Sequence, residues 1–285
     1  MEIKEIKAKN IIVKSKLPDA DYVVNPYTGC EFGCIYCYAS FMGRFVNERI
    51  DNWGNYVYVK INAVELFNKE IDKIPDKDTT ILLSSVTDPY QGIESKYGLT
   101  RGILDIVARK QYEGNIGILT KSSMVTRDVD VLKKIPNADI GMTITTTDDE
   151  LGRFLELRAT ATSMRIKTLS ELNKAGLRTY AFVGPLLPHF RYKPELLDNL
   201  FASLVEAGVN QVYIEHINLS PYIKKRMFES LEGNKELQEV YADASTDRHR
   251  NALDKIVKEQ LHKHGLGLRL NDVLYHHKEA EKDVL

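Results

Sequence analysis

All three cysteines of this 285-residue chain fall inside one eight-residue window, Cys30-Glu31-Phe32-Gly33-Cys34-Ile35-Tyr36-Cys37. A window this short puts the thiols on one loop, and Gly33 supplies the backbone freedom needed to wrap that loop round a single object. Three thiolates so spaced can ligate three irons of a 4Fe-4S cluster, leaving the fourth iron without a cysteine. An open coordination position is what catalytic rather than structural metal sites keep. A disulfide would leave an odd thiol and require an oxidising compartment. The chain starts Met1-Glu2-Ile3-Lys4-Glu5-Ile6-Lys7 with no apolar leader, so a reduced, cytoplasmic setting is expected. Zinc would need a fourth ligand, and the histidine nearest in sequence is His189.

With 43% hydrophobic residues the chain can bury a sizeable core. No linker-like tract, repeat or low-complexity segment divides it, and no apolar run approaches the ~20 residues of a membrane span. One domain is therefore expected, with a core over residues 1–220 and a C-terminal helical extension over 221–285 packed on it. The net charge of -1, from 39 basic and 40 acidic residues, disfavours an extended duplex-binding face, which needs clustered Lys and Arg to neutralise phosphates. Two short runs, Lys224-Lys225-Arg226 and Arg248-His249-Arg250, keep nucleic acid open as a partner. Such runs on helices are more often solvated faces.

Apolar strand-like runs at 22–27, 80–85, 115–119, 138–145, 178–185 and 211–217 alternate with helix-like stretches. Ile166, Leu169, Leu172 and Leu177 carry the helical spacing, and Ala175-Gly176 is a stop before the next strand. Short continuous strands separated by helices imply an α/β fold with a parallel sheet covered by helices.

The run Cys30-x3-Cys34-x2-Cys37 with Tyr36 before the last cysteine resembles the radical S-adenosylmethionine (radical SAM) enzymes. Asn25-Pro26-Tyr27-x-Gly29-Cys30, Thr87-Asp88-Pro89-Tyr90-Gln91-x-Ile93-Glu94, Leu119-Thr120-Lys121-Ser122 and Arg127-Asp128-x-Asp130-x-Leu132 further resemble the spore photoproduct lyase-like subgroup. The resemblance implies a partial (β/α)6 TIM-like barrel with its site at the carboxyl ends of the strands. It also implies a 4Fe-4S cluster on Cys30, Cys34 and Cys37, S-adenosylmethionine on the open iron, and a flavodoxin- or ferredoxin-type reductant. In that frame Tyr36 faces the adenine, and Ser84, Ser85, Thr87 and Asp88 meet the methionine amino group. Lys121 is placed at the carboxylate and Thr143 and Thr145 near the ribose. Arg158 contacts the carboxylate or braces a loop through Glu156, and this chain has Leu157 where related proteins carry proline. Gly184 admits the adenine, and Glu215 with His216 forms a polar pair at the barrel mouth.

One departure bears on the reaction. Spore photoproduct lyases that repair DNA thymine dimers carry a further cysteine as hydrogen-atom donor, and this chain has none. Tyr36 and Tyr38 flank Cys37 as a tyrosine pair does in those lyases, which makes Tyr38, with a phenolic O–H, the candidate donor. The expected activity is reductive cleavage of S-adenosylmethionine and hydrogen abstraction from an unidentified substrate. Two alternatives stay open: a DNA photoproduct lyase-like enzyme using a tyrosine donor, and a non-catalytic iron-sulfur sensor or carrier.

Overall fold

A computed structural model of the chain describes residues 1–75 and 77–275. Eleven strands are present among them: β1 (Glu2–Ile6), β2 (Ile12–Lys14), β3 (Tyr22–Val24), β4 (Tyr27–Thr28), β5 (Tyr56–Lys60), β6 (Thr80–Leu83), β7 (Asn115–Thr120), β8 (Ala138–Thr143), β9 (Arg178–Leu186), β10 (Gln211–His216) and β11 (Gly267–Leu268). The larger sheet runs β11-β10-β9-β8-β7-β6-β3-β2. Its six central strands, β3 and β6 to β10, are parallel throughout, and β2 is antiparallel at one edge. Its end strands β2 and β11 do not pair with each other, so the strands and their crossover helices form a partial (β/α)6 barrel. β1, β5 and β4 make a separate small sheet.

Ten α-helices complete the described chain: α1 (Ala63–Glu70), α2 (Glu94–Tyr97), α3 (Leu99–Lys110), α4 (Val129–Leu132), α5 (Asp149–Leu155), α6 (Thr162–Lys174), α7 (Pro194–Glu206), α8 (Pro221–Ser230), α9 (Lys235–Asp243) and α10 (Asp247–His264). Alternation along the strands explains both faces of the sheet. Ile81, Leu83, Ile116, Ile118 and Ile140 point outward into one buried cluster with Phe67, Ile103, Leu104 and Val107. Ala181, Val183, Val212 and Ile214 pack outward against Leu200, Phe201, Leu253 and Val257. The intervening residues Leu82, Leu119, Tyr180, Phe182 and Tyr213 face an interior cavity. Hydrophobic burial thus sits outside the barrel wall, and the space inside is left for chemistry.

The expected strand at 22–27 is two strands in different sheets. Pro26 has no N–H to continue a ladder, so β3 stops at Val24 and Tyr27–Thr28 turns away to pair with β5. The stop at Ala175-Gly176 is present, with Gly176 in the left-handed region at φ 82°. Beyond residue 220 come three helices, after which β11 returns to the main sheet beside β10 and Leu274 bridges to Glu215. The tail pair His276-His277 and the rest of the expected extension to 285 lie outside the described residues. Among those described, no helix is long and apolar enough to cross a membrane.

Candidate active site

At the carboxyl ends of the central strands lies a cavity of about 290 Å³, and Cys30, Cys34 and Cys37 line it together. All three are free thiols, the first two buried and the third half-buried. Their loop is shaped by Gly29 at φ 91° and Gly33 at φ 59°, backbone settings that side chains with a Cβ rarely adopt. A Cβ at Gly29 would lie 2.4 Å from the Tyr56 carbonyl oxygen, so the close approach of β5 also requires glycine there.

The loop is held from four sides. The Thr87 hydroxyl donates to Gly29 O (2.6 Å), and Glu31 N donates to Gln91 Oε1 (3.0 Å). Ile93 N donates to Glu31 Oε1 (3.0 Å), locking the same segment from the Glu31 side chain. Arg158 Nη1 reaches Glu31 O (3.0 Å) and Gly54 O (2.8 Å). From α8, Arg226 donates to Ile35 O and Cys37 O, and Tyr222 donates to Tyr38 O. Behind the loop, Tyr27 donates to buried Glu94, which pairs with Arg127 at 3.1 Å. Arg127 also pairs with buried Asp128 at 2.8 Å. The tyrosine, glutamate, arginine and aspartate of three sequence patches therefore meet in one ionic frame.

The fit of an iron-sulfur group can be tested on the walls. Burial pushes the Cys34 thiol up to about 12 and Cys30 well above its ordinary range, so the thiolate forms need bound cations. Among the described residues no three His, Cys, Asp or Glu side chains converge on one ion-sized point. A cluster offers each thiolate its own iron, so this wall suits it better than a lone zinc. The same cavity is lined by Trp53 and Ser84, whose Nε1 and Oγ are buried without a hydrogen-bond partner. Orphaned donors at a cavity wall are what a polar guest would satisfy.

A family model of the radical SAM superfamily matches residues 24–194. The chain belongs to the radical SAM superfamily. An uncharacterized protein of Methanocaldococcus jannaschii is 36% identical over 221 residues, 77% of this chain and 79% of that protein. An uncharacterized protein of Mycobacterium tuberculosis is 28% identical over 219 residues, covering 72% of this chain and 62% of its own length. Among solved structures, a spore photoproduct lyase mutant aligns with TM-score 0.73 at 16% identity over 95% of this chain and 82% of that one. A spore photoproduct lyase complexed with dinucleoside spore photoproduct aligns with TM-score 0.70 at 15% identity, over 96% and 82% of the two chains. Superfamily membership makes this a radical SAM enzyme and implies an iron-sulfur cluster and S-adenosylmethionine.

Most residues singled out in the sequence meet at this cavity: Tyr36, Tyr38, Ser84, Ser85, Thr87, Asp88, Lys121, Thr143, Gly184 and Glu215 all line it with the cysteines. Ser84 is held at φ 69° by Ser84 N donating to Val24 O (2.8 Å). Next to it, Asn25 Oδ1 takes the N–H groups of Ser85 (3.0 Å) and Val86 (3.2 Å). Both Asp88 oxygens are already engaged, by Thr120 Oγ1 (2.7 Å), Tyr90 N (2.9 Å) and Lys121 N (2.8 Å). Asp88 is therefore a strap between two strand ends. It also makes the Asp-Pro turn contact that its position suggests.

Lys121 Nζ lies 3.5 Å from Thr143 Oγ1 and 5.7 Å from the Tyr36 ring centroid. Burial works against its charge, but the nearby Cys34, Glu156 and Cys37 side chains hold its pKa above the usual lysine range. Tyr38 donates to Ser85 O, and burial raises its pKa.

Arg158 and Thr145 do not line the cavity. The first is spent on loop carbonyls, and the second has a buried hydroxyl without a partner. At Gly184 the local need for glycine is the Phe182 ring, 2.0 Å from where a Cβ would stand.

The partners of several site residues, and Arg165 and Trp53 themselves, escaped sequence reasoning. Glu156 takes the Tyr36 hydroxyl on one oxygen and Arg165 on the other, and Arg165 Nη1 also holds Thr143 O (2.6 Å). Arg165 is 1% exposed inside α6, where arginine reads as surface. Trp53 and Asn25 likewise act through contacts 20 to 60 positions away, which no periodicity reports. His216, expected at the mouth, lines the cavity there and is bonded to Asp254 (2.7 Å) and stacked on Tyr275.

Proposed function

We propose that the three cysteines hold a single 4Fe-4S cluster and that the enzyme cleaves S-adenosylmethionine reductively to abstract hydrogen from a substrate in the same cavity. The observation that carries this reading is the joint lining of one cavity by three thiols, a half-buried ammonium bonded only to the Thr143 hydroxyl among the described residues, and two orphaned polar groups. A bound cluster supplies the electron that converts S-adenosylmethionine into methionine and a 5'-deoxyadenosyl radical.

The chain's own residues do the rest. Lys121 forms no salt bridge among the described residues, so its ammonium is available to a carboxylate. Ser84 Oγ, held by its backbone toward the cavity, accepts from the methionine ammonium. Asp88 contributes indirectly, because its bond to Lys121 N fixes the strand end that carries the ammonium. Tyr36 is pinned by Glu156 and floors the Lys121 side, while Thr143 Oγ1 stands beside the same ammonium for the ribose.

At the opposite wall Tyr38 and Glu215 face one another closely enough for the carboxylate to raise the phenol's pKa, after the larger effect of burial. Tyr38 is the hydrogen-atom donor in this reading. A flavodoxin- or ferredoxin-type protein delivers the electron.

Nucleic acid as substrate gains little support. Of the run Lys224-Lys225-Arg226, Arg226 is turned inward to the cysteine loop, and in the second run Arg250 pairs with Asp247.

The test is anaerobic reconstitution with iron and sulfide, followed by dithionite and S-adenosylmethionine, with 5'-deoxyadenosine and methionine quantified by chromatography. Wild type is expected to yield both products, and Cys34→Ala should lose more than about 100-fold of the yield, beyond what outer-shell changes cost metal sites. A wild-type protein with a spectroscopically verified cluster that leaves S-adenosylmethionine intact in the presence of candidate substrates would point to the carrier reading instead.

A further inference from the structure

We infer that Arg226, on the helix after the last barrel strand, is a positioning residue for the cysteine loop whose fixed charge raises the reduction potential of the cluster bound there. This rests on the functional reading above. Arg226 Nε donates to Ile35 O at 2.6 Å and Nη2 to Cys37 O at 2.7 Å. The two carbonyls bracket Tyr36 and Cys37, so one guanidinium fork holds the chain just before and just after the third thiol. One turn earlier on the same face of α8, the Tyr222 hydroxyl donates to Tyr38 O at 3.0 Å. Together they grip three carbonyls within residues 35–38, a stretch some 190 positions away in sequence.

The chemistry of this grip is specific to arginine. Its planar fork makes two directed bonds, whereas lysine offers one point charge, and its charge persists even where burial opposes it. Burial does oppose it here, while Cys37 acts in the other direction. Nearby charge and hydrogen bonding are the levers by which a protein sets an iron-sulfur potential. A cation one peptide unit from a ligating thiol favours the reduced, more negative state. Among the described residues Lys121 and Arg165 also act electrostatically on the cysteine thiols, but Lys121 faces the guest and Arg165 is paired with Glu156. Arg226 approaches from the opposite, protein side and remains in place whether or not the cavity is filled.

The experiment compares wild type, Arg226→Lys, Arg226→Gln and Tyr222→Phe after reconstitution. Iron and sulfide content report loading, EPR-monitored redox titration without S-adenosylmethionine reports the midpoint potential, and circular dichroism with thermal melting of the apo-proteins reports the fold. The expected result is a loaded Arg226→Gln with a more negative midpoint, Arg226→Lys nearer wild type, and Tyr222→Phe unshifted. If only Arg226→Gln fails to load, the charge is needed to hold the thiolate site, which supports the inference. If neither Arg226 variant loads while both apo-proteins melt like wild type, the forked grip on the loop is supported. Loaded Arg226→Gln with the wild-type midpoint overturns the inference, as does loss of the apo fold in both variants. A wild type that binds no cluster sinks the functional reading instead, so the two failures are separable.

Discussion

The two ends of the barrel interior bury polar groups in opposite ways. At the amino end, Arg269 lies 4.5 Å from the Tyr180 ring centroid and 5.0 Å from that of Tyr213. It pairs with Asp139 at 2.6 Å, and the Tyr213 hydroxyl donates to Asp19. The charged and phenolic groups of this floor therefore have partners within the protein. At the carboxyl end, Trp53 Nε1 and Ser84 Oγ are buried without partners, and Lys121, which feels Glu156 only at a distance, forms no salt bridge among the described residues. Buried polar groups are ordinarily satisfied because leaving one unmade costs about 1–3 kcal/mol. A floor with complete pairing is architecture, and a mouth with deficits is built for a guest.

The largest effect should come from the frame that supports the mouth without lining it. Arg165→Leu leaves Glu156 buried and charged, and a urea titration should show a loss of about 3–5 kcal/mol, the usual consequence of breaking a buried ion pair from one side. A loss under about 1 kcal/mol would show that the frame is not needed for folding.

Next, the comparison between floor and mouth can be broken directly. Arg269→Met strands Asp139 and exposes two ring faces, so about 1–3 kcal/mol of stability should be lost. Lys121→Met removes an unpaired charge instead, and stability should shift by less than about 1 kcal/mol. The same variant should bind S-adenosylmethionine at least about tenfold more weakly by calorimetry, equivalent to about 1.4 kcal/mol. Equal destabilisation by the two substitutions would erase the distinction between floor and mouth.

The smallest effect is a pH dependence near the loop that holds Ser85. Lys60 Nζ donates to Asn25 O at 2.7 Å, and burial pulls its pKa from 10.5 down to about 8. The folded state then binds fewer protons than the unfolded state between these values, so the lysine's contribution to stability rises with pH across that window. Denaturation midpoints measured from pH 8 to 10.5 should show this rise in wild type and not in Lys60→Met. A slope that survives the substitution assigns it to another group.

How much of this was legible in the sequence follows from the range of each signal. The cysteine triad, Gly33 and the six central parallel strands are local patterns: four of the strands fall inside the expected ranges, and β7 and β9 each run one residue past theirs. Pro26 was visible too, yet its effect on β3 needed the second sheet to be known, since only β5 gives Tyr27 a partner. Glu156, read in the sequence only as a brace for Arg158, closes α5, and Arg165 sat among ordinary residues of α6. Their pairing depends on how α6 packs on β8, and an arginine's burial has no sequence period.

What the sequence alone determined was the cysteine loop, the family of the chain and the α/β order, because covalent spacing and strand alternation act over a few residues. Tertiary structure decided which polar groups would be paired and which left open. Asp88 and Lys121 lie at neighbouring strand ends, and the fold spends the first on the Thr120 hydroxyl and two backbone N–H groups and leaves the second facing the cavity. The fold likewise turned Arg226 from a charge run into a grip on Cys37. Pairing depends on distances of about 3 Å between groups far apart in the chain, and only the folded backbone sets those distances.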